Sequence, residues 1–151
     1  MAACGVATRF DRVRIRPGGP AAFGIFRDGR GWLALPGNPV SAMVTFELFG
    51  RPAIRAMAGH SYPIRPTMAV TLGASVRQDA VLDQYMRCAL TAPDRNGRPV
   101  ATPSGPQGSG MLMSMMRADC LAIIPAGVGS MAEGTAVEAQ SLGHADDHSA
   151  S

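Results

Sequence analysis

The octapeptide Leu35-Pro36-Gly37-Asn38-Pro39-Val40-Ser41-Ala42 gathers the residue types that a fixed anion site needs. A short apolar run, Trp32–Leu35, precedes it. After it, Val40, Met43, Val44, Phe46 and Phe49 recur at helical spacing. The pattern predicts a strand, a turn stiffened by Pro36 and Pro39, and a helix. Asn38 is suited to cap that helix, and Pro39 falls at its first position, where a missing N–H removes no hydrogen bond. Main-chain N–H groups of the first helical turn, that of Ser41 among them, are then expected to point away from the strand. They would favour an anion together with the positive end of the helix dipole. The same residues also make a plain tight turn with a capped helix, and local physics leaves both readings open.

No other set of residues competes for chemistry. Cys4, Cys88 and Cys120 are odd in number, widely spaced and without a Cys-x-x-Cys pair. A disulfide scaffold or a zinc site is not expected, and a reducing compartment is. His60, His144 and His148 fall in a linker and a tail, so none is assigned to a metal. Met111, Met113, Met115 and Met116 read as adaptable packing rather than as a soft-metal site.

Composition limits the partners. The 14 basic residues are all arginine, and they are scattered, giving a net charge of +3. This suits small anions, but without a basic run neither DNA nor RNA binding is expected. No stretch reaches the ~18 apolar residues of a membrane span, and the N-terminus lacks a signal-peptide pattern. A cytoplasmic, globular protein with no membrane contact is the expectation.

The elements that would position the turn fall into two groups. Residues 9–16 alternate loosely up to the rigid turn Pro17-Gly18-Gly19-Pro20. Ala21–Phe26 and Trp32–Leu35, joined through Asp28-Gly29-Arg30-Gly31, predict a hairpin. Gly50-Arg51-Pro52 should kink or restart the helix, and Gly59 should stop it. After the linker 60–65, with Pro63, the chain reads as all-β. Met68–Leu72, Gln84–Thr91, Arg98–Thr102, Leu121–Ile124 and Thr135–Gln140 are candidate strands, and Asp94-Arg95-Asn96-Gly97 is a hairpin turn. A small barrel or sandwich follows from such short strands. The stretch 105–116, rich in Gly, Ser and Met, lies between them, and 144–151 is expected to be a disordered tail.

Two stretches in the first part of the chain and a pair in its β region carry a resemblance to a known family. Leu35–Ala42, followed by a Phe-containing helix, is similar to the signature of molybdopterin molybdenumtransferases, a family that includes the gephyrin E domain. Val13-Arg14-Ile15-Arg16-Pro17-Gly18-Gly19-Pro20-Ala21-Ala22-Phe23-Gly24 resembles its Lys-Pro-Gly-Lys-Pro-x-x-Phe-Gly segment. Gln84–Leu90 resembles its Arg-bearing strand, and Gln107-Gly108-Ser109-Gly110-Met111-Leu112 its Gln-Gly-Ser loop.

The resemblance implies a fold: residues 1–59 as the C-terminal part of a molybdopterin-binding α/β domain, and 66–143 as a C-terminal β-barrel domain. It implies an activity, the insertion of molybdenum from molybdate into adenylylated molybdopterin, with magnesium as the divalent cation. Arg16, Pro36, Asn38, Pro39, Ser41, Arg87 and Ser109 are then the expected molybdate or molybdopterin site, with Pro36 and Pro39 holding the loop. An arginine can fork two N–H bonds onto oxyanion oxygens. Gly19 stands where the family has a second basic residue. The Gly-Asp-bearing segment, whose carboxylates would handle magnesium, does not occur in the sequence, so a C-terminal fragment is expected. Such a chain would act as a homodimer or with a complementing N-terminal part. The alternatives are a non-catalytic oxyanion- or molybdopterin-binding module or scaffold, and a degenerate remnant.

Overall fold

The computed structural model describes residues 5–78, 81–108 and 112–143. The chain forms two compact units, Met1–Ile64 and Arg65–Ser151. The first mixes helix and sheet, and the second is a small β-barrel. Among the described residues no helix is long and apolar enough to cross a membrane.

In the first unit β1 (Val6–Phe10), β3 (Ala22–Phe26) and β4 (Gly31–Ala34) form an antiparallel sheet in the order β1-β3-β4. The two-residue β2 (Ile15–Arg16) leads into a cis Arg16–Pro17 bond. The predicted hairpin is β3–β4, with Gly29 at φ 88° in its turn. Asp28 fixes that turn by accepting the Arg30 main-chain N–H and the Arg30 Nε.

The helix expected after Pro39 runs in three pieces. α1 (Pro39–Thr45) passes into a π-helical turn, Phe46–Gly50, and then into α2 (Arg51–Met57). The break has the cause foreseen at Pro52, but its form is a widened turn rather than a kink. A proline inside a helix cannot donate to the carbonyl four residues back, and its ring crowds that carbonyl. The chain instead takes an extra residue into the turn, and Arg51 N–H donates to Phe46 O, five residues back. At Gly59, φ 82°, the helix closes with bonds from His60 N–H to Arg55 O and from Gly59 N–H to Ala56 O.

Helix and sheet meet through aromatics. The Phe10 ring lies 6.0 Å from Phe23 and 6.1 Å from Phe49, and a Cβ placed at Gly50 would sit 3.4 Å from Leu33. Val40 and Val44 are fully buried, whereas α2 buries none of its residues.

In the second unit β5 (Thr67–Leu72), β7 (Asp83–Thr91), β8 (Val100–Pro103), β9 (Cys120–Ile124) and β11 (Ala136–Ser141) are ordered β7-β8-β5-β11-β9. Pairing of β7 with β9 closes the ring. Closure leaves these strands no free edge, which a sheet this small would otherwise expose. β5 and β8 pair in parallel, and the other neighbours are antiparallel. Val70, Leu72, Met86, Ala101, Ile124 and Val137 fill the interior. Burying a Leu or Ile side chain fully contributes about 1.5–3 kcal/mol. Cys88 and Cys120 sit opposite each other across β7 and β9, both fully buried. Burial, then the neighbouring Cys120, pushes the Cys88 thiol up to about 12. Burial, then Asp119, pushes Cys120 up to about 11. These thiols behave as small apolar core groups.

The sequence reading needs three corrections here. β6 (Val76–Gln78) and β10 (Gly129–Met131) form a separate antiparallel pair that residue patterning did not single out. Part of the stretch 105–116 is a short helix, α3 (Leu112–Met116). Of its methionines, Met115 is buried, but Met113 and Met116 are 54% and 69% exposed and do not serve as packing. Met111 and the tail 144–151 lie outside the described residues.

Two consequences are measurable. Gly18 has φ 115°, and a Cβ there would run into Thr45 Cγ2 of α1. Gly18→Ala should lower unfolding free energy by about 2–4 kcal/mol, combining backbone strain and overpacking. Gly29→Ala, with nothing within 4 Å of a built Cβ, should lose only about 1 kcal/mol. Denaturant titration of both variants separates these values. Asp94 is held below the usual carboxylate range, first by the Thr71 hydroxyl bond at 2.6 Å, then by N–H groups of Arg98 and Asn96. A lowered folded-state value contributes stability above the ordinary pKa of ~3.9, lost as pH falls through the folded value. Acid titration of stability should therefore be shallower for Asp94→Ala than for the unaltered chain.

Candidate functional site

The residues of the Leu35–Ala42 turn are set as their types dictate. Asn38 takes an extended conformation, φ −75° and ψ 127°, and its Oδ1 accepts the Ser41 N–H at 3.4 Å. The first helical bond follows, from Ala42 N–H to Asn38 O at 2.8 Å. This corrects one expectation. The Ser41 N–H is not a free helix-end donor, because the cap residue that starts the helix also takes that proton. Ser41 itself is buried, with 7% exposure. One turn later the Thr45 hydroxyl donates to Ser41 O at 2.7 Å. Pro36 and Asn38 are half-buried, and Pro39 is exposed.

The second turn, residues 16–20, is brought against this helix. Val13 N–H donates to Gly19 O at 2.9 Å and Ala21 N–H to Gly18 O at 3.1 Å, which folds the loop back on itself. Gly18 then rests on Thr45, so the loop that follows Arg16 packs directly on α1. A residue with a side chain could not make this approach. Arg16 is exposed on β2. The two sequence-predicted walls, Arg16 on one side and Pro36, Asn38, Pro39 and Ser41 on the other, therefore share one compact unit.

Arg87 belongs to the barrel unit, and its setting was not foreseen. It lies in the middle of β7 and is fully buried. Its Nε donates to Ser114 Oγ at 2.8 Å, and its Nη2 lies 3.3 Å from both Pro106 O and Gly108 O. Nη1 is buried without an acceptor among the described residues. Burial pulls the guanidinium below its ordinary value, but such a group stays charged in proteins. All its acceptors are neutral. A buried cation without a carboxylate partner is an environment that favours an anion.

Three further residues build this setting. Gln107 accepts the Arg87 main-chain N–H on Oε1 at 3.0 Å and donates from Nε2 to Arg87 O at 3.1 Å. The Ser104 hydroxyl lies 3.1 Å from Arg87 O and 2.5 Å from Ser114 O, two acceptors for its single proton. Gln107 stood in a quoted motif, and Ser104 and Ser114 flank it, but side-chain bonds to a distant main chain leave no periodic trace in sequence. Ser109, the remaining predicted contact, lies outside the described residues.

With this geometry in place, comparison with known proteins is informative. The family described as MoeA C-terminal region (domain IV) matches residues 69–142. The molybdopterin molybdenumtransferase of Synechococcus elongatus is 38% identical over 139 residues, covering 91% of this chain and 32% of that protein. The molybdenum cofactor synthesis protein cinnamon of Drosophila melanogaster is 38% identical over 118 residues, or 76% of this chain and 19% of its own length. A crystal structure of a molybdopterin biosynthesis MoeA protein from Pyrococcus horikosii superposes with a TM-score of 0.72 at 26% identity. It is covered to 33% of its length, by 93% of this chain. The chain thus spans about a third or less of these relatives. By fold, ordered motifs and sequence it belongs to the molybdopterin molybdenumtransferase family.

Proposed function

We propose that this chain forms one part of a molybdopterin molybdenumtransferase, which inserts molybdenum from molybdate into adenylylated molybdopterin. The observation that carries this reading is the buried Arg87 guanidinium, faced only by neutral oxygens and with Nη1 unmatched among the described residues. Molybdate is a tetrahedral dianion, and a desolvated cation with fixed donors is what its recognition requires. Ser109 would add a loop hydroxyl in the same unit, and in the first unit, taken by itself, Arg16 would offer a positive charge and Ser41 a hydroxyl. Pro36, Asn38 and Pro39 hold the turn without touching the reacting atoms. Relatives named as molybdopterin molybdenumtransferases support the same substrate class.

Magnesium is the cation that the family implies. Among the described residues no group of three or more His, Cys, Asp or Glu could hold it, so no step is derived through it. Its ligands would come from a complementing N-terminal part of the fold. That part, or a second copy in a homodimer, would also cover Ile54 and Met57, which are 53% and 79% exposed. The proposed setting is the cytoplasm.

The buried Arg87 donor set also suits a second reading, an oxyanion-binding module without turnover. Two measurements decide. Calorimetry of the isolated chain with sodium molybdate should give saturable heat, and Arg16→Ala should weaken binding by roughly tenfold, as loss of a charge-assisted bond does. Absence of binding by the unaltered chain would remove the oxyanion reading altogether. Molybdenum insertion should then appear only when the remaining two thirds of a relative is added as a separate polypeptide. Binding without any such gain would leave the module reading.

A further inference from the structure

We infer that Gln107 is the residue that positions the Arg87 guanidinium. β8 ends at Pro103, opposite Cys88, and the next residue, Ser104, still donates its main-chain N–H to Arg87 O at 3.0 Å. The Arg87 N–H finds its acceptor in the Gln107 side chain. Its primary amide presents an oxygen to the Arg87 N–H and an N–H to the Arg87 carbonyl, the same pair of bonds a strand residue would make. The second amide hydrogen goes to Gly105 O at 2.9 Å, which ties the amide to its own loop.

This double bond has a consequence for the charge. Pro106 and Gly108, the two residues flanking Gln107, supply the carbonyls that face Nη2. One side chain therefore docks onto the main chain of Arg87 while its neighbours' carbonyls close on the Arg87 side chain. Main chain and guanidinium of the same residue are gripped by one four-residue segment, Gly105–Gly108. Without the amide, Arg87 O keeps the Ser104 main-chain and hydroxyl contacts, but the Arg87 N–H loses its acceptor. The Gln107 amide bonds to main-chain groups, those of Arg87 and Gly105. Its part is to hold the donor set in register, and the ligand's identity rests on the function proposed above.

The test uses the full chain labelled with nitrogen-15, reading hydrogen exchange at the Arg87 Nε–H, assigned by its disappearance in Arg87→Lys. Gln107→Met keeps the length of the side chain but not its bonds. It should speed that exchange by roughly tenfold, the scale of about one lost hydrogen bond, while β5 and β11 amides keep their protection. Gln107→Glu keeps an oxygen for the Arg87 N–H but no donor for its carbonyl, and should fall between. Unchanged protection at Nε–H in either variant overturns the proposal. So does a uniform loss across the barrel, which general destabilisation would produce. In parallel, sodium molybdate should bind Gln107→Met about tenfold more weakly than the unaltered chain. If the unaltered chain binds no molybdate, the proposed function fails, and the exchange data still decide the role of Gln107.

Discussion

A guanidinium enclosed in a barrel wall is the constraint around which the second unit is arranged. Removing such a charge from water costs several kcal/mol even after the surroundings relax, so donors must find acceptors or the strand cannot hold it. β7 pairs with both β8 and β9 to close the barrel, and Arg87 sits within it. Its Nε and Nη2 are met from outside the strand ladder, by Ser114 Oγ and the Pro106 and Gly108 carbonyls, and Nη1 is left without an acceptor among the described residues. Residues 104–108 and Ser114 are therefore not an idle connection between strands. Their placement lets a buried charge be solvated by oxygen atoms of the chain itself.

The first unit solves a different problem with the same economy of parts. A helix must begin at the end of a short strand and stay close to a preceding loop. Asn38 and Pro39 start it, and Gly18 permits the approach to Thr45. The capping bond that stabilises this start also occupies the Ser41 N–H. Local stability and anion binding compete for that donor, and the cap has it. The charge expected of this wall thus rests on Arg16 rather than on the helix end.

Much of this was legible in the sequence because it depends on neighbours along the chain. The Asp28-Gly29 hairpin, the Asn38-Pro39 helix start, the Gly59 stop and the Asp94–Gly97 turn are each decided by a few adjacent residues, and all appear where residue type predicts. The family resemblance singled out Arg87 but gave no hint of its burial. That property arises from Gln107, Ser104 and Ser114, which lie 17 or more residues away along the chain. The β6–β10 pair escaped for a similar reason, since three-residue strands with a glycine among them carry too short a pattern to register. Met113 and Met116 misled because apolar character in a five-residue helix says nothing about which side faces the barrel.

The π-helical turn at Phe46–Gly50 has a directional effect. Each residue in an α-helix turns the chain by about 100°, so one additional residue rotates everything after it by that angle. Val40 and Val44 define the inward side of α1. Had the helix continued regularly toward its end, that side would have run on through α2. With the inserted residue the two halves of one rod face different ways, and Ile54 and Met57 look outward. A single imino acid, Pro52, in this way gives the rod a second azimuth.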